Sequence, residues 1–349
     1  MRKSKKKTKS IAELLHLVLS KVRMPLGIIL GSPTEVAELV SLVPHGDITC
    51  YQMDLFQADR LRDQLSQKSQ VASVAVHPDL WDLPGDFQTL IYPVAYGGER
   101  ALKLDMLEQA FHVLKPQGTL IVLSPYEKDD FFPVTLKKIF GRTHAPMEGD
   151  NQTFWCQRSG ERPRRRHEMT YHVRVDEGTS YSFTSRPGVF GYGFYDEGAR
   201  ALVEATEFAE GQRVLDLGCG VGTNGILAAR RVGSKGSVVF VDSNVRAIAM
   251  AELNAKAIGA PNYQAIATHT LSELTNGSFD AVLANPPYYA QGTIIRFFIE
   301  RSRALLRSGG VLNLVTKQID STFATIQEFF PEPELFENRG YVVFRAVKP

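Results

Sequence analysis

The sequence predicts an α/β protein built from two tandem, doubly wound sheets, of which the first is a degenerate copy of the second. Three observations support this. Short apolar segments alternate with helical ones in both halves, a basic stretch without either pattern separates the halves, and two segments of each half match at one offset. The 349 residues, 44% of them hydrophobic, are enough for two globular domains.

The first half is predicted to extend from residue 11 to residue 157. It begins with an amphipathic helix, because Ile11, Leu14 and Val18 fall on one helical face. Between residues 129 and 150 the pattern fades. Strands that alternate with helices indicate a mainly parallel sheet. The predicted strands cover residues 26–30, 48–53, 71–76, 89–92 and 119–123, and the predicted helices cover residues 33–43 and 99–114.

A polar, basic stretch at residues 158–169 is the predicted linker. In the second half, residues 170–175 and 180–184 alternate like paired strands around a turn. A glycine-rich segment, residues 187–198, then leads into a helix at residues 199–206. The strands predicted after it cover residues 213–217, 237–241, 263–267, 279–284, 311–315 and 341–346. Residues 170–349 are therefore predicted to form a complete Rossmann-like domain.

Two segments of the first half match the second half without gaps. Residues 85–91 and 114–120 correspond to residues that lie 192 positions further on, so the helix between them has the same length in both copies. This match predicts an internal duplication. Position 93, the counterpart of Asn285, is a proline. We therefore expect the first copy to keep the fold without the site.

Positive charge is concentrated in two places, although the formal net charge is only +2. Residues 1–10 are a predicted basic, flexible tail, and residues 162–167 within the linker hold a cluster of arginines. Such clusters either contact phosphate groups or form a solvated surface. The charge pattern therefore leaves a nucleic-acid partner open without identifying one.

Cys50, Cys156 and Cys219 lie far apart and have no metal-ligand spacing, so neither a disulfide framework nor a metal site is expected. No apolar run approaches the ~20 residues of a membrane span. The N-terminal helix also carries Glu13 and His16, which a signal peptide would not. The sequence thus predicts a cytoplasmic protein without membrane or metal, and it leaves the oligomeric state unknown.

A glycine-rich turn follows the first strand of the second domain. Gly218, Cys219, Gly220 and Gly222 come directly after that strand, and glycines there let a ligand approach the backbone. Gly220, Gly222 and Gly225 also have the spacing of a dinucleotide-binding loop. A nicotinamide-dependent oxidoreductase is therefore an open alternative.

Two carboxylates accompany this turn. Asp216 stands within the preceding strand, where its charge would repel a pyrophosphate and attract an amino group. Asp242 follows the next strand, in the position from which a carboxylate accepts hydrogen bonds from a ribose diol. Together they favour a cationic cofactor without phosphate groups.

The apolar run at residues 281–284 ends in Asn285, Pro286, Pro287 and Tyr288. Prolines cannot extend a sheet ladder, so the chain must leave the sheet at this point. An amide and a phenol are thereby placed at the carboxyl end of a strand, where open α/β sheets bind ligands. Taken alone, the four residues could also be an ordinary strand exit.

These stretches resemble two motifs of one enzyme class. Residues 215–222 are similar to motif I of class I S-adenosylmethionine-dependent methyltransferases, and residues 285–288 resemble the fourth motif of the branch that methylates amino nitrogens. With the degenerate first copy, the segment at 187–198 and the closing residues 341–348, the chain resembles the bacterial ribosomal RNA guanine-N2 methyltransferases of the small- and large-subunit type.

The resemblance implies a catalytic second domain and a first domain that positions ribosomal RNA or a ribosomal subunit. It implies that Asn285 and the Pro286 carbonyl accept hydrogen bonds from the target amine, and that Tyr288 stacks on the base. It implies S-adenosylmethionine as the cofactor. The residues implied to hold it are Asp216, Gly218, Cys219, Gly220, Gly222, Asp242 and Thr268.

Two places depart from the pattern of this family. Thr268 and His269 stand where family members present an acidic or amide side chain to the adenine, and Tyr289 follows Tyr288 where the family often has Phe-His. Adenine-N6 of RNA or DNA and a protein glutamine therefore remain alternative methyl acceptors. A non-catalytic RNA-binding protein is a further alternative.

Overall fold

The computed structural model describes residues 10–126, 130–146, 152–176, 178–287 and 292–349. The chain divides into two compact units, residues 1–167 and 168–349. Apart from Ser10, the predicted basic tail lies outside the described residues, and so does Tyr288. No helix in the described part of the chain is long and apolar enough to cross a membrane.

The first unit contains a six-stranded sheet in the order β3-β2-β1-β4-β5-β6. Strands β1 to β5 are parallel and β6 is antiparallel to β5. The strands are β1 Leu26–Ile29, β2 Ile48–Gln52, β3 Ser73–Val76, β4 Phe87–Pro93, β5 Leu114–Leu123 and β6 Thr153–Gln157. The helices are α1 Ile11–His16, α2 Pro33–Leu42, α3 Leu55–Leu65, α4 Arg100–Val113 and α5 Phe131–Phe140.

Helices α1 and α2 begin at sequence-coded caps. Ser10 and Ser32 each accept a hydrogen bond from the backbone N–H of a glutamate three residues later, and that glutamate bonds back to the backbone of the serine. Such a capping box satisfies N–H groups that the helix leaves unpaired. Helix α1 ends at His16, earlier than the apolar pattern predicted.

The second unit contains a seven-stranded sheet in the order β11-β10-β9-β12-β13-β15-β14 and a separate hairpin of β7 and β8. Strands β9 to β13 are parallel, whereas β15 is antiparallel to both β13 and β14. The strands are β7 Met169–Asp176, β8 Thr179–Ser185, β9 Arg213–Leu217, β10 Ser237–Asp242, β11 Tyr263–Ala267, β12 Phe279–Ala284, β13 Leu306–Thr316, β14 Glu334–Asn338 and β15 Tyr341–Val347. The helices are α6 Glu197–Ala205, α7 Thr223–Val232, α8 Val245–Ile258, α9 Thr293–Leu305 and α10 Ile319–Gln327.

The two sheets share their first five strands in order and direction, as the predicted duplication requires. The β4–β5 pair and the β12–β13 pair also carry the same irregularity, because Phe87 pairs with Leu114 and Phe279 pairs with Leu306 before the register shifts. After the shift the paired positions again differ by 192 residues. An irregularity repeated at corresponding positions supports a common origin of the two copies.

The fold prediction is confirmed as two Rossmann-like sheets, but α3, α5, α8, α10, β6 and β14 were not predicted from the sequence. Strands β6 and β14 stand at the edges of their sheets, and in β14 four of the five residues are exposed. An edge strand is set by its pairing partner more than by its own sequence.

Candidate active site

The glycine turn begins where β9 ends, at Gly218. Gly218, Gly220 and Gly222 all have positive φ, between 54° and 81°, which side-chain-bearing residues rarely adopt. The N–H groups of Gly218 and Cys219 both donate to the Val241 carbonyl at the end of β10. The turn is therefore tied to the neighbouring strand, and its glycines are required by the backbone conformation.

Asp216 is buried in β9, directly behind this turn. Its Oδ2 accepts a hydrogen bond of 2.8 Å from the Gly225 N–H in the first turn of α7. A Cβ on Gly225 would lie 2.8 Å from that oxygen and 2.4 Å from the Phe240 ring, so only glycine allows α7 to pack this closely. Burial raises the pKa of Asp216 to about 7, and the charge of Asp242 adds to the rise, whereas the Gly225 N–H opposes it.

Asp242 connects the end of β10 to the turn. Its Oδ2 accepts a hydrogen bond of 3.0 Å from the Gly220 N–H, and its Oδ1 accepts one of 2.9 Å from the Asn244 N–H. Asn244 in turn donates 2.8 Å to the Gly188 carbonyl, and the buried Arg246 donates 2.6 Å to the Pro187 carbonyl. These bonds anchor the glycine-rich segment beside the turn.

Asn285 follows β12 and is held by a carboxylate from α6. Its Nδ2 donates 3.1 Å to Oδ2 of Asp196, and the same oxygen caps α6 by accepting 2.8 Å from the Ala199 N–H. Because a carboxylate only accepts hydrogen bonds, this contact fixes which end of the amide is the NH₂ group. The amide oxygen is therefore at the opposite end from Asp196.

A cavity brings most of these groups together. Its wall contains five of the predicted site residues, namely Asp216, Gly218, Cys219, Gly220 and Asn285. The aromatic side chains of Phe190 and Phe194, which are 63% and 55% exposed, also line it. The structure thus joins the glycine turn and the Asn285 exit, 65 residues apart in sequence, at one opening.

The other predicted residues lie elsewhere. Gly222 is the N-cap residue before α7, Pro286 is buried after Asn285, and Tyr288 falls outside the described residues. Thr268 is buried after β11, and its N–H donates 3.0 Å to the Asp242 carbonyl. Its hydroxyl accepts 3.2 Å hydrogen bonds from the N–H groups of Thr270 and Leu271.

The first unit has apolar or neutral residues at the corresponding positions. By sheet register, Ile28 takes the place of Asp216 and Gln52 takes the place of Asp242. The Gln52 amide donates to the Gly31 carbonyl. The ring of Pro93 lies 2.7 Å from where a Cβ on Gly31 would be. Proline therefore occupies the space beside the turn, and no carboxylate faces it from either register position.

The residues of the second unit fit S-adenosylmethionine. The glycine turn presents backbone without side chains to the cavity, and two acids beside the turn, Asp216 and Asp242, suit a cationic amino acid moiety and a ribose diol. No group of three or more His, Cys, Asp or Glu side chains that could hold a metal occurs among the described residues.

A family model described as "Methyltransferase small domain" matches residues 180–345, which contain the turn, both carboxylates and Asn285. The matched residues make up most of the second unit. The resemblance inferred from its two motifs is thereby confirmed at the level of the domain.

Named relatives are ribosomal RNA methyltransferases. The chain is 30% identical over 194 residues to "Ribosomal RNA small subunit methyltransferase C" of Hahella chejuensis and 34% identical over 182 residues to that of Chromohalobacter salexigens. These matches cover 51% and 49% of this chain and 53% of each relative. The chain thus spans about half the length of these two relatives. A match to "Ribosomal RNA large subunit methyltransferase G" of Streptomyces avermitilis, 29% identical, covers 70% of this chain and 68% of that protein.

The fold of the whole chain is that of a solved methyltransferase. The structure of a T. thermophilus 16S rRNA N2 methyltransferase, in complex with AdoMet and guanosine, aligns with a TM-score of 0.76 over 98% of this chain and 92% of that one. The two sequences are 22% identical, so the likeness concerns the fold. It includes both tandem sheets.

Sequence reasoning missed the hydrogen bond from Asn285 to Asp196. The signal available was Asp196 itself, an aspartate directly before a helix and thus a typical N-cap. Its second role depends on a contact between residues 89 positions apart, which no local pattern encodes. Phe190 and Phe194 belong to the glycine-rich segment at residues 187–198, and no pattern in the sequence indicated that their exposed rings line the cavity.

Proposed function

We propose that this chain transfers a methyl group from S-adenosylmethionine to the exocyclic N2 amine of a guanine in ribosomal RNA. The observation that carries the proposal is the oriented amide of Asn285 in the wall of the cavity that also contains the glycine turn. The named relatives, which are rRNA methyltransferases of both ribosomal subunits, support the choice of substrate.

In this proposal Asn285 acts on the nitrogen of the acceptor. An exocyclic amine is a poor nucleophile, because its lone pair is delocalised into the ring. The bound cofactor supplies an activated methyl group on a sulfonium. The Asn285 oxygen and the Pro286 carbonyl accept hydrogen bonds from the amine, which directs its lone pair outward, and positioning provides most of the rate enhancement. Tyr288 stacks on the base.

The carboxylates and the turn hold the cofactor. Asp216 attracts the amino group of the methionine moiety, and the backbone from Gly218 to Gly222, including Cys219, lies along the cofactor. Asp242 accepts hydrogen bonds from the ribose while its own position is fixed by the Gly220 and Asn244 N–H groups. Thr268 holds the turn after β11 through the hydrogen bonds of its hydroxyl to the Thr270 and Leu271 N–H groups, and this turn contacts the adenine of the cofactor.

The first domain, residues 11–157, positions the RNA, with the tail at residues 1–10 and the linker at residues 158–169 supplying positive charge. Within the linker, Arg164, Arg165 and Arg166 are exposed. The partner is ribosomal RNA or a ribosomal subunit, and the protein acts in the cytoplasm. Adenine-N6 and glutamine remain the competing acceptors, since they also present an amine on a planar group.

The proposal is tested with purified protein, isotopically labelled S-adenosylmethionine and rRNA from cells that lack the gene. We expect label in N2-methylguanosine with the wild type. We expect at least a hundredfold loss of turnover for Asn285→Ala with cofactor affinity kept, and no loss for Asn276→Ala, an exposed asparagine in a turn. Label in N6-methyladenosine, or wild-type turnover by Asn285→Ala, would overturn the assignment.

A further inference from the structure

An exposed aromatic pair stands at the carboxyl edge of the first sheet. Tyr96 follows β4 and is 81% exposed, and its ring stacks on that of Tyr126, which follows β5, with centroids 5.3 Å apart and planes 29° apart. One face of the Tyr96 ring is therefore covered by Tyr126. A tyrosine this exposed gains little from burial, and the ring face opposite Tyr126 is open to solvent.

The Tyr126 ring of the pair is held in place by contacts of its hydroxyl and of its ring face. The Tyr126 hydroxyl accepts a 2.8 Å hydrogen bond from the Gly97 N–H and a 2.9 Å bond from Lys103 Nζ. The Lys103 ammonium also lies 4.6 Å from the centre of the Tyr126 ring. The Tyr126 ring is thus held in place against the Tyr96 ring, so Tyr96 has a fixed support on one face and loses less conformational entropy on binding a ligand than an unsupported ring would.

Tyr96 occupies the place of Tyr288 in the duplicated sequence. The two positions differ by 192 residues, the same offset that relates the paired positions of β4–β5 to those of β12–β13. The first copy replaced Asn285 by Pro93 and lost both carboxylates, yet it kept a tyrosine at this position. The corresponding edge of an open α/β sheet is where ligands bind.

The surroundings suit a flat, neutral group better than a charged one. Among the described neighbours, Arg100 is exposed beside the Phe131 ring, at 4.9 Å from its centre, and the mostly buried Lys103 supplies a second cation. Glu99 and Asp130 are exposed acids on the same edge. Mixed charge of this kind gives no strong attraction for an anion, so stacking must provide the affinity.

We propose that Tyr96 is a stacking site for an unpaired RNA base, so that the first domain holds a nucleotide of the substrate by the aromatic residue retained from its lost active site. The class of partner rests on the proposed function. An unpaired base fits because it offers a flat face to an exposed ring, and base–aromatic stacking tolerates any sequence.

The test uses full-length protein and a single-stranded RNA 12-mer that contains 2-aminopurine, without cofactor. We expect wild-type protein to quench the fluorescence and Tyr96→Ala to bind roughly tenfold more weakly or worse, the weakening that loss of one stacked base produces. Tyr96→Phe should bind like the wild type. The matched control is Phe56→Ala, which removes another exposed ring of the same unit, 44% exposed.

The methylation assay provides a second readout. We expect Tyr96→Ala to raise the KM for rRNA and to leave kcat unchanged. Equal binding and equal KM for Tyr96→Ala and Phe56→Ala would overturn the stacking site while leaving the proposed function intact. Quenching that depends on Tyr96, in a protein that methylates no RNA, would support the stacking site and overturn the proposed function instead.

Discussion

At the scale of single residues, Asp196 is expected to act through Asn285 as a positioning residue. Its carboxylate receives the amide NH₂ of Asn285 and caps α6 with the same oxygen. Asp196→Ala should lower kcat for rRNA at least tenfold with the cofactor affinity nearly unchanged. It should also cost about 1 kcal/mol of stability through the lost cap.

The conservative variant separates these two effects. Asp196→Asn keeps an oxygen that can accept both hydrogen bonds, so we expect most of the stability and part of kcat to return. Steady-state kinetics and urea unfolding of the three proteins provide the measurements. A purely structural role for Asp196 is indicated if kcat follows stability in both variants.

Asp216 makes the stability of the second unit depend on pH. Its pKa in the folded protein, about 7, lies above the ordinary value of 3.8, so the folded state binds the proton more tightly than the unfolded state. The contribution of Asp216 to the free energy of unfolding is therefore fully present below about pH 4 and is lost as the pH rises through about 7. At pH 8 the free energy of unfolding of Asp216→Asn, measured with urea, should exceed that of the wild type by on the order of 2 kcal/mol. The difference should shrink at pH 4.

The same carboxyl group should link cofactor binding to pH. An ammonium group favours the ionised carboxylate, so S-adenosylmethionine affinity is expected to rise as the pH increases through about 7. Calorimetric titrations at several pH values measure this dependence. A difference in stability between Asp216→Asn and the wild type that is the same at pH 4 and pH 8 would contradict the assigned pKa.

At the scale of elements, the duplication predicts paired effects of mutation. A Cβ on Gly118 would lie 2.9 Å and 3.0 Å from the carbonyl oxygens of Lys115 and Phe87, and one on Gly310 would lie 3.0 Å from those of Arg307 and Phe279. Gly118→Ala and Gly310→Ala should therefore each cost about 1 to 3 kcal/mol in their own unit, since backbone must move in both.

Gly98 provides the control for that pair. The nearest atom to its added Cβ is 3.5 Å away, an ordinary contact, so Gly98→Ala should change the unfolding free energy little. Chemical denaturation of the three variants gives the comparison. Strongly unequal effects at Gly118 and Gly310 would show that the two bulges are not equivalent.

The elements that sequence predicted well are those with their own periodic signal. Strands β9, β11 and β12 have the predicted limits, because each is a short, mostly apolar run between turn residues. Strand β13 begins at Leu306, five residues before the predicted start, since the polar residues after Leu306 belong to its irregular first part. Helix α5 was missed because it follows a stretch with no clear pattern.

The site was predictable to the extent that its residues stand at strand ends. Asp216, Asp242 and Asn285 follow from the rule that parallel strands present their carboxyl ends at one edge of the sheet. The hydrogen bond from Asn285 to Asp196 and the stacking of Tyr96 on Tyr126 could not be predicted, because each joins side chains that lie far apart in the sequence. Thr268 was chosen by resemblance alone, and the bonds of its hydroxyl give no further support.

At the scale of the whole molecule, each unit has its own cores. Among the residues that the structure describes, the four buried apolar clusters each fall within residues 1–167 or within residues 168–349. Residues 168–349 alone are therefore expected to fold and to bind S-adenosylmethionine with the affinity of the full chain. Their KM for rRNA should be at least tenfold higher, because the domain proposed to position the RNA is absent.

Circular dichroism, calorimetry and methylation kinetics check this fragment. A folded fragment that methylates rRNA with the KM of the full chain would contradict the positioning role of residues 11–157. It would leave the assignment of the catalytic domain unaffected.

Guanine-N2 methylation of ribosomal RNA is tested most directly by mass spectrometry of rRNA nucleosides from cells that lack the gene. We expect N2-methylguanosine to fall by one site in one subunit. We also expect the wild-type gene to restore this methyl group and the Asn285→Ala gene not to restore it. An unchanged amount of N2-methylguanosine in both subunits would contradict guanine-N2 methylation by this protein.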